Sequence, residues 1–202
     1  MTARLAACIS GGGRTLLNLA DRIDAGRLDA EIALVIASRE CAGAARARER
    51  GLPVVVEPGD IPVERLGAML REAKAEWVVL AGYLRLLPIP PGFEGRIVNI
   101  HPALLPSFGG RGMHGERVHR AVIDAGCKVS GCTVHLCDDR YDTGPIILQR
   151  ACEVRDDDTP ATLGARVFEL ETEALPDALS LLLSGAVDVE GRRTRRHAPA
   201  ER

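Results

Sequence analysis

Three short segments of this 202-residue sequence hold residues whose types and spacing could do chemistry. The first, Ser10-Gly11-Gly12-Gly13-Arg14-Thr15, follows an apolar run and precedes a helical pattern, so free backbone N–H groups and the positive end of a helix dipole would face one spot. A phosphate would sit there well. The P-loop pattern is absent, and Leu16 stands where the third glycine of a dinucleotide fingerprint belongs, so a phosphomonoester fits better than a nucleoside triphosphate or NAD. The second segment, Asn99-Ile100-His101-Pro102, ends another apolar run. Residues two apart on a strand share a face, so the Asn99 amide and the His101 imidazole can converge on one ligand atom, as a developing oxyanion requires. The third is an acidic loop, Cys137-Asp138-Asp139-Arg140-Tyr141-Asp142. One of its carboxylates brought near His101 would raise that imidazole's pKa and fix its orientation. Spacing leaves open which aspartate does so.

These segments need elements to carry them. Short apolar runs at 4–10, 32–38, 53–56, 77–81 and 96–100 alternate with helical patterns that begin at Leu16, Cys41 and Val63, the first two closed by Gly26 and Gly51. Such alternation demands parallel pairing with right-handed crossovers, and it places ligand chemistry outside the carboxyl ends of the strands. A helix over about 114–124 follows, then strands over 129–137 and 146–154 whose short link makes them antiparallel. Thr159-Pro160 opens a last helix and Gly185 ends it. The pattern predicts an α/β fold: a doubly wound, mostly parallel sheet with helices on both faces and an antiparallel addition in the C-terminal half.

Composition sharpens this reading. Only 3% of residues are aromatic against 46% hydrophobic, which leaves the core to Ala, Val, Leu and Ile, as in buried parallel strands. A formal net charge of −2 gives no field for gripping a nucleic-acid backbone. No run of 18 apolar residues exists and the N-terminus carries no signal pattern, so a cytoplasmic protein without a membrane partner is expected. The six cysteines lack zinc-site spacing and read as buried thiols. His114 and His119 do not form HExxH, so no metal is expected. One domain is expected over 1–188, with a phosphate-binding half over about 1–100 and a catalytic half over about 84–188. The basic stretch 189–202 reads as a solvated, disordered tail.

Read together, Asn99-Ile100-His101-Pro102-Ala103-Leu104-Leu105-Pro106, Ser130-Gly131-Cys132-Thr133-Val134-His135 and Asp142-Thr143-Gly144-Pro145-Ile146-Ile147-Leu148-Gln149 resemble the glycinamide ribonucleotide transformylases, a family of folate-dependent formyltransferases. The resemblance runs over roughly 3–185 and includes Val78 to Leu87. It implies a Rossmann-like formyltransferase fold and transfer of a formyl group from 10-formyltetrahydrofolate, as co-substrate, to the glycyl amine of 5'-phosphoribosylglycinamide in purine synthesis. It also implies Asn99, His101 and Asp142 as catalytic residues, with His135 and Gly144 in support. Gly12, Gly13, Arg14 and Thr15 would hold the acceptor's phosphate and Glu171 its ribose. Leu84, Arg85, Leu86 and Leu87, together with Cys137, Asp138, Asp139, Arg140 and Tyr141, would contact the pterin. The expected partners are these small molecules, and the expected assembly is a monomer or homodimer. Three departures stand out: Arg14-Thr15 replaces the usual Ser-Asn, Phe168 stands where a Lys or Gln is common, and the glycine-rich loop 108–115 is longer than in many relatives. Two alternatives stay open, a formyltransferase for another amine such as an amino sugar and a non-catalytic phosphosugar-binding module.

Overall fold

The computed structural model describes residues 2–197. Its chain divides into two compact units, one reaching to Asn99 and the other starting at Ile100. In the first unit, β1 (Ala3–Ile9), β2 (Ala30–Ala37), β3 (Val54–Val56) and β4 (Trp77–Leu80) alternate with α1 (Arg14–Asp24), α2 (Ala42–Glu49) and α3 (Val63–Glu72), and β5 (Ile97–His101) follows. Every pair among these strands is parallel, in the order β3-β2-β1-β4-β5. That is the order in which a chain doubles back from its first strand, so the segments after β1 and after β4 flank the point where the winding reverses. Both carry expected ligand contacts.

Parallel strands covered on both sides must be apolar throughout, and Leu5 to Ile9 are fully buried. Around Ala7 and Ile9 pack Leu16 and Ala20 of α1, Val35 and Ala37 of β2, and Ala44 and Ala47 of α2. The alanines keep α2 close to the sheet, which matters for the glycine loop described below.

In the second unit, α4 (Glu116–Asp124) leads to β6 (Val129–Leu136), which pairs antiparallel with β7 (Ile146–Glu153), and α5 (Pro160–Leu183) packs on both strands and on α4. The seven strands form one sheet, in the order β3-β2-β1-β4-β5-β6-β7. Thr159 caps α5 through a reciprocal hydrogen-bonded box with Thr162, and Pro160 fills the first position, as the sequence predicts. The helix expected from 114 starts later, at Glu116, because Gly115 holds φ 57° and cannot extend it.

The expectation of a disordered tail from residue 189 is corrected over the described residues. Val187–Glu190 (β8) and Arg193–Arg196 (β9) form an antiparallel hairpin. Its order comes from hydrogen bonds rather than apolar burial: Thr194 Oγ1 donates to the Ile146 carbonyl at 2.7 Å and Arg196 Nη2 to the Ile147 carbonyl at 2.9 Å. Residues 198–202 of the expected tail lie outside the described residues.

Candidate active site

The glycine loop of the first unit is built by close backbone packing. Gly13, with φ 74°, turns the chain into α1, whose first turn has no side-chain cap. A Cβ on Gly13 would lie 2.7 Å from the Gly43 Cα, and one on Gly43 would lie 2.7 Å from the Gly11 carbonyl, so this contact admits only glycine on both sides. Gly43 N–H donates to the Gly11 carbonyl at 2.9 Å. Arg46 Nη1 donates to the Gly12 carbonyl at 2.8 Å and Arg39 Nε to that of Ser10 at 3.0 Å. With its carbonyls drawn back by arginines, the loop presents N–H groups and the exposed Arg14, which suits an anion. Thr15 is half-buried at the start of α1. Sequence reasoning missed Gly43, Arg39 and Arg46, because a loop's supports are distant in sequence and carry no motif.

Beyond β4, residues 83–87 run without regular structure. The Leu84 N–H donates to Ser10 Oγ at 3.1 Å and Arg85 reaches Asp60 at 3.1 Å. Leu84 and Leu86 are 45% and 42% exposed, two of only four large aliphatic side chains so exposed among the described residues, while Leu87 is buried. Exposed leucines on an extended segment beside the winding switch point leave an apolar surface suited to a ligand.

The second unit assembles a titratable cluster around Asp142. His101, at the end of β5, is 3% exposed, and its Nδ1 lies 3.5 Å from Asp142 Oδ2. His135, on β6, is 2% exposed, and its Nε2 lies 3.6 Å from Asp142 Oδ1. A carbonyl oxygen only accepts, so the 2.8 Å contact to the Phe108 carbonyl puts a proton on His101 Nε2, and the 2.9 Å contact to the Leu136 carbonyl puts one on His135 Nδ1. Each imidazole therefore turns its other nitrogen toward one carboxylate.

The acidic loop divides its labour. Asp138 closes the loop on itself, accepting from Thr143 Oγ1 at 2.7 and 2.8 Å and from the Arg140 N–H at 3.0 Å. Asp139 stays at the surface beside Arg140, and Tyr141 and Cys137 are half-buried. Asp142 alone turns inward, with φ 58°, a strained region for a residue with a side chain. Gly144 makes this turn possible, since a Cβ there would lie 1.9 Å from the Leu136 carbonyl. Thus the structure selects Asp142, which spacing could not.

Burial sets the charge states. It lowers the His101 pKa below the usual histidine value, and the opposing pull of Asp142 and the Phe108 carbonyl does not overcome it. Asp142 does raise this pKa, as expected of an aspartate beside His101, but desolvation of the imidazolium outweighs a carboxylate 3.5 Å away and the net shift is downward. For Asp142, burial pushes the carboxyl up, but His135, His101 and the Gly110 N–H together hold it below the usual carboxylate value. At neutral pH Asp142 is therefore a carboxylate and His101 a neutral imidazole.

The glycine-rich loop 108–115 is part of this site. Besides the Phe108 carbonyl on His101, the Gly110 N–H donates to Asp142 Oδ2 at 2.9 Å. Positive φ at Phe108, Gly110, Gly112 and Gly115 lets the chain fold back far enough to do so. Behind His101, Thr133 Oγ1 donates to the Ala103 carbonyl at 2.7 Å and accepts from the Leu105 N–H at 3.0 Å and from Gln149 Nε2 at 2.9 Å. These bonds fix the turn that follows the histidine. Sequence reasoning passed over Thr133 and Gln149, although both fall inside motifs it had quoted.

Glu171 is half-buried on α5, near enough to Cys132 of β6 that its charge, after burial, helps push that thiol up to about 12. His119 of α4 packs against Gly164 of α5, and its buried Nδ1 has no partner among the described residues. No group of three or more His, Cys, Asp or Glu among the described residues could hold a metal ion. No helix among them is long and apolar enough to cross a membrane.

Comparison with known proteins agrees with this geometry. The chain is 40% identical over 178 residues to the chloroplastic phosphoribosylglycinamide formyltransferase of Arabidopsis thaliana, covering 83% of this chain and 61% of that protein. It spans about three fifths of the length of the plant relatives it matches. It superposes on the crystal structure of glycinamide ribonucleotide transformylase 1 from Symbiobacterium toebii with a TM-score of 0.87 at 35% identity, covering 96% of this chain and 94% of that one. A formyltetrahydrofolate deformylase from Pseudomonas syringae superposes with a TM-score of 0.84 at 25% identity, over 97% of this chain and 66% of that one. Residues 3–179 match the formyl transferase family, and to that family the chain belongs.

Proposed function

We propose that this chain transfers the formyl group of 10-formyltetrahydrofolate to the glycyl amine of 5'-phosphoribosylglycinamide. The observation that carries the reading is the inward-turned Asp142 held between His101 and His135, downstream of an Asn99 that shares a strand with His101. A phosphosugar-binding module would have no use for that cluster. The acceptor's phosphate sits at the Gly12–Thr15 loop of the first unit, and Glu171 of the second takes the ribose hydroxyls. Leu84 to Leu87 give the pterin apolar contact, and the loop from Cys137 to Tyr141 offers it backbone groups. The enzyme acts in the cytoplasm as a monomer or homodimer on these small molecules alone.

In this mechanism the amine nitrogen attacks the formyl carbon, and a tetrahedral oxyanion forms. The Asn99 amide donates to that oxyanion, as does the His101 Nε2–H once the oxyanion replaces the Phe108 carbonyl as its acceptor. The attacking nitrogen sheds a proton into the gap between Asp142 and His101 Nδ1, where the carboxylate stabilises the imidazolium. Return of that proton to N10 accompanies cleavage of the N10–carbon bond, which yields the formamide and tetrahydrofolate. No net proton is gained or lost.

The test is an absorbance assay with 10-formyl-5,8-dideazafolate as donor and 5'-phosphoribosylglycinamide, an amino sugar or no acceptor in parallel. Turnover with the ribonucleotide, reduced at least about 10²-fold by Asn99→Ala or His101→Ala, is the expected result. Turnover only with the amino sugar would replace the acceptor. Near-normal activity in either variant would remove the assigned residue from the mechanism.

A further inference from the structure

We propose that the arginine-rich strand β9 is a positioning clamp for the Asp142 loop, acting through the first two residues of β7. The reading of Asp142 as part of a formyl-transfer site underlies the kinetic arm of its test.

The clamp grips an irregular spot. Along β6 and β7 the register slips: His135 pairs with Ile146 and Val134 with Leu148, so Ile147 has no residue opposite it. A bulge of this kind interrupts the ladder, and its backbone groups need partners from elsewhere. β9 supplies them. The Thr194 hydroxyl donates to the Ile146 carbonyl and the Arg196 guanidinium to the Ile147 carbonyl, at 2.7 and 2.9 Å. The far end of β9 is tied down in turn, since the His197 N–H donates to the Ala186 carbonyl at 3.1 Å and the Ala186 N–H to the Leu181 carbonyl of α5 at 2.9 Å. The bulge is thereby linked to the C-terminal end of the longest helix.

On its other side the bulge abuts the cluster. His135, whose ladder partner is Ile146, faces Asp142 Oδ1 through Nε2 and donates through Nδ1 to the Leu136 carbonyl. The Leu136 N–H donates to the Pro145 carbonyl at 2.9 Å, and Pro145 directly precedes Ile146. Gly144 leaves this junction no slack, because even a methyl group there would overlap the Leu136 carbonyl. A shift of Ile146 or Ile147 therefore passes to Asp142 and His135 instead of being absorbed. Arg195 points to a different task, pairing with Glu190 inside the hairpin at 3.3 Å.

Thr194→Val removes only the hydroxyl and Arg196→Met only the guanidinium, so the double variant opens the clamp while keeping the strand's bulk. Expected is a kcat about 10-fold lower, with KM for donor and acceptor within about two-fold, because misplacing a catalytic group weakens the chemical step more than binding. Thr194→Ser retains wild-type kcat, and so does Arg195→Met, which removes charge but no bond to β7. A lowered melting temperature with unchanged kcat would make the hairpin merely structural and overturn the clamp, as would an equal loss in Arg195→Met. Histidine ring nitrogen–proton spectra decide independently of turnover: the His101 and His135 signals move in the double variant and hold still in Arg195→Met. Unmoved signals overturn the clamp even in an active enzyme. A wild-type protein that transfers no formyl group to any amine refutes the functional reading, while those spectra still decide the clamp.

Discussion

In the proposed mechanism His135 serves the reaction without touching substrate. Its Nε2 faces Asp142 and its charge acts on His101, lowering both pKa values: the carboxyl's by stabilising its anion, the imidazole's by like-charge repulsion behind the larger effect of burial. Removing it raises both. In His135→Asn the carboxylate protonates, and His101 becomes charged, at a higher pH than in the wild type. The acid limb of the kcat profile therefore moves upward, while activity above neutrality falls less. The limb belongs to the cluster, not to either residue alone. A profile measured from pH 5 to 9 that keeps its acid limb in place would mean that His135 does not set the charge on the pair. By spacing alone Asp142 was one of three equivalent carboxylates; the family resemblance pointed to it, and in the structure the φ of 58° and the Gly144 junction turn it inward. That Asn99 and His101 share a strand was readable in advance, because a two-residue repeat fixes a common face.

Among the elements, α2 does more than cover the sheet. Its second residue, Gly43, meets Gly11 and Gly13 backbone to backbone, and three small residues nearby, Ala42, Ala44 and Ala47, let the helix approach so closely. In Gly43→Ala the new methyl would sit 2.7 Å from the Gly11 carbonyl and 2.9 Å from the Gly13 nitrogen. Backbone cannot swing aside as a flexible side chain does, so the glycine loop must shift. Overpacking of this kind typically destabilises by about 1–3 kcal/mol, and with the loop as the proposed phosphate site the acceptor's KM is expected to rise, whereas the donor's KM changes little. Equal KM values in variant and wild type, with the loss of melting temperature alone, would detach the loop from acceptor binding. Most elements were readable in the sequence, because buried parallel strands are continuous apolar runs and α5 opens with a Thr-Pro cap. β9 was not. Arg193-Thr194-Arg195-Arg196 has no apolar face to read; Thr194 and Arg196 order it by bonding to carbonyls of β7, and hydrophobic patterning carries no trace of such bonds. The same reason hid the Phe108 carbonyl and the Gly110 N–H, since backbone groups have no residue type to read and only the density of glycines over 108–115 marked the place.

Taken as a whole molecule, the chain spends its charge locally. The chain carries 26 basic and 28 acidic residues, and among the described residues arginines pair with carboxylates close by in the chain, as Arg48 does with Glu40 and Arg166 with Asp158. The titratable interior behaves differently and gives stability a pH dependence of definite sign. Burial first, then His135 for one and His101 for the other, lowers the pKa of His101 and of His119 from the ordinary 6.5. Between 6.5 and each folded value the unfolded chain binds more protons than the folded one, so stability rises with pH across that window. It is fully present above 6.5 and is lost as pH falls through the folded values. A histidine that stays neutral when folded would cost at most about 1.4 kcal/mol by about pH 5.5. Asp142, also lowered, adds a loss of the same sign starting below 3.8. Urea unfolding should therefore give a free energy that declines from about pH 7.5 to about pH 5.5. His119→Gln, which removes one of the two groups from outside the Asp142 cluster, should flatten the decline. An unchanged slope in that variant would show that His119 takes up its proton within the fold, and that its packing site beside Gly164 accommodates a charged imidazole.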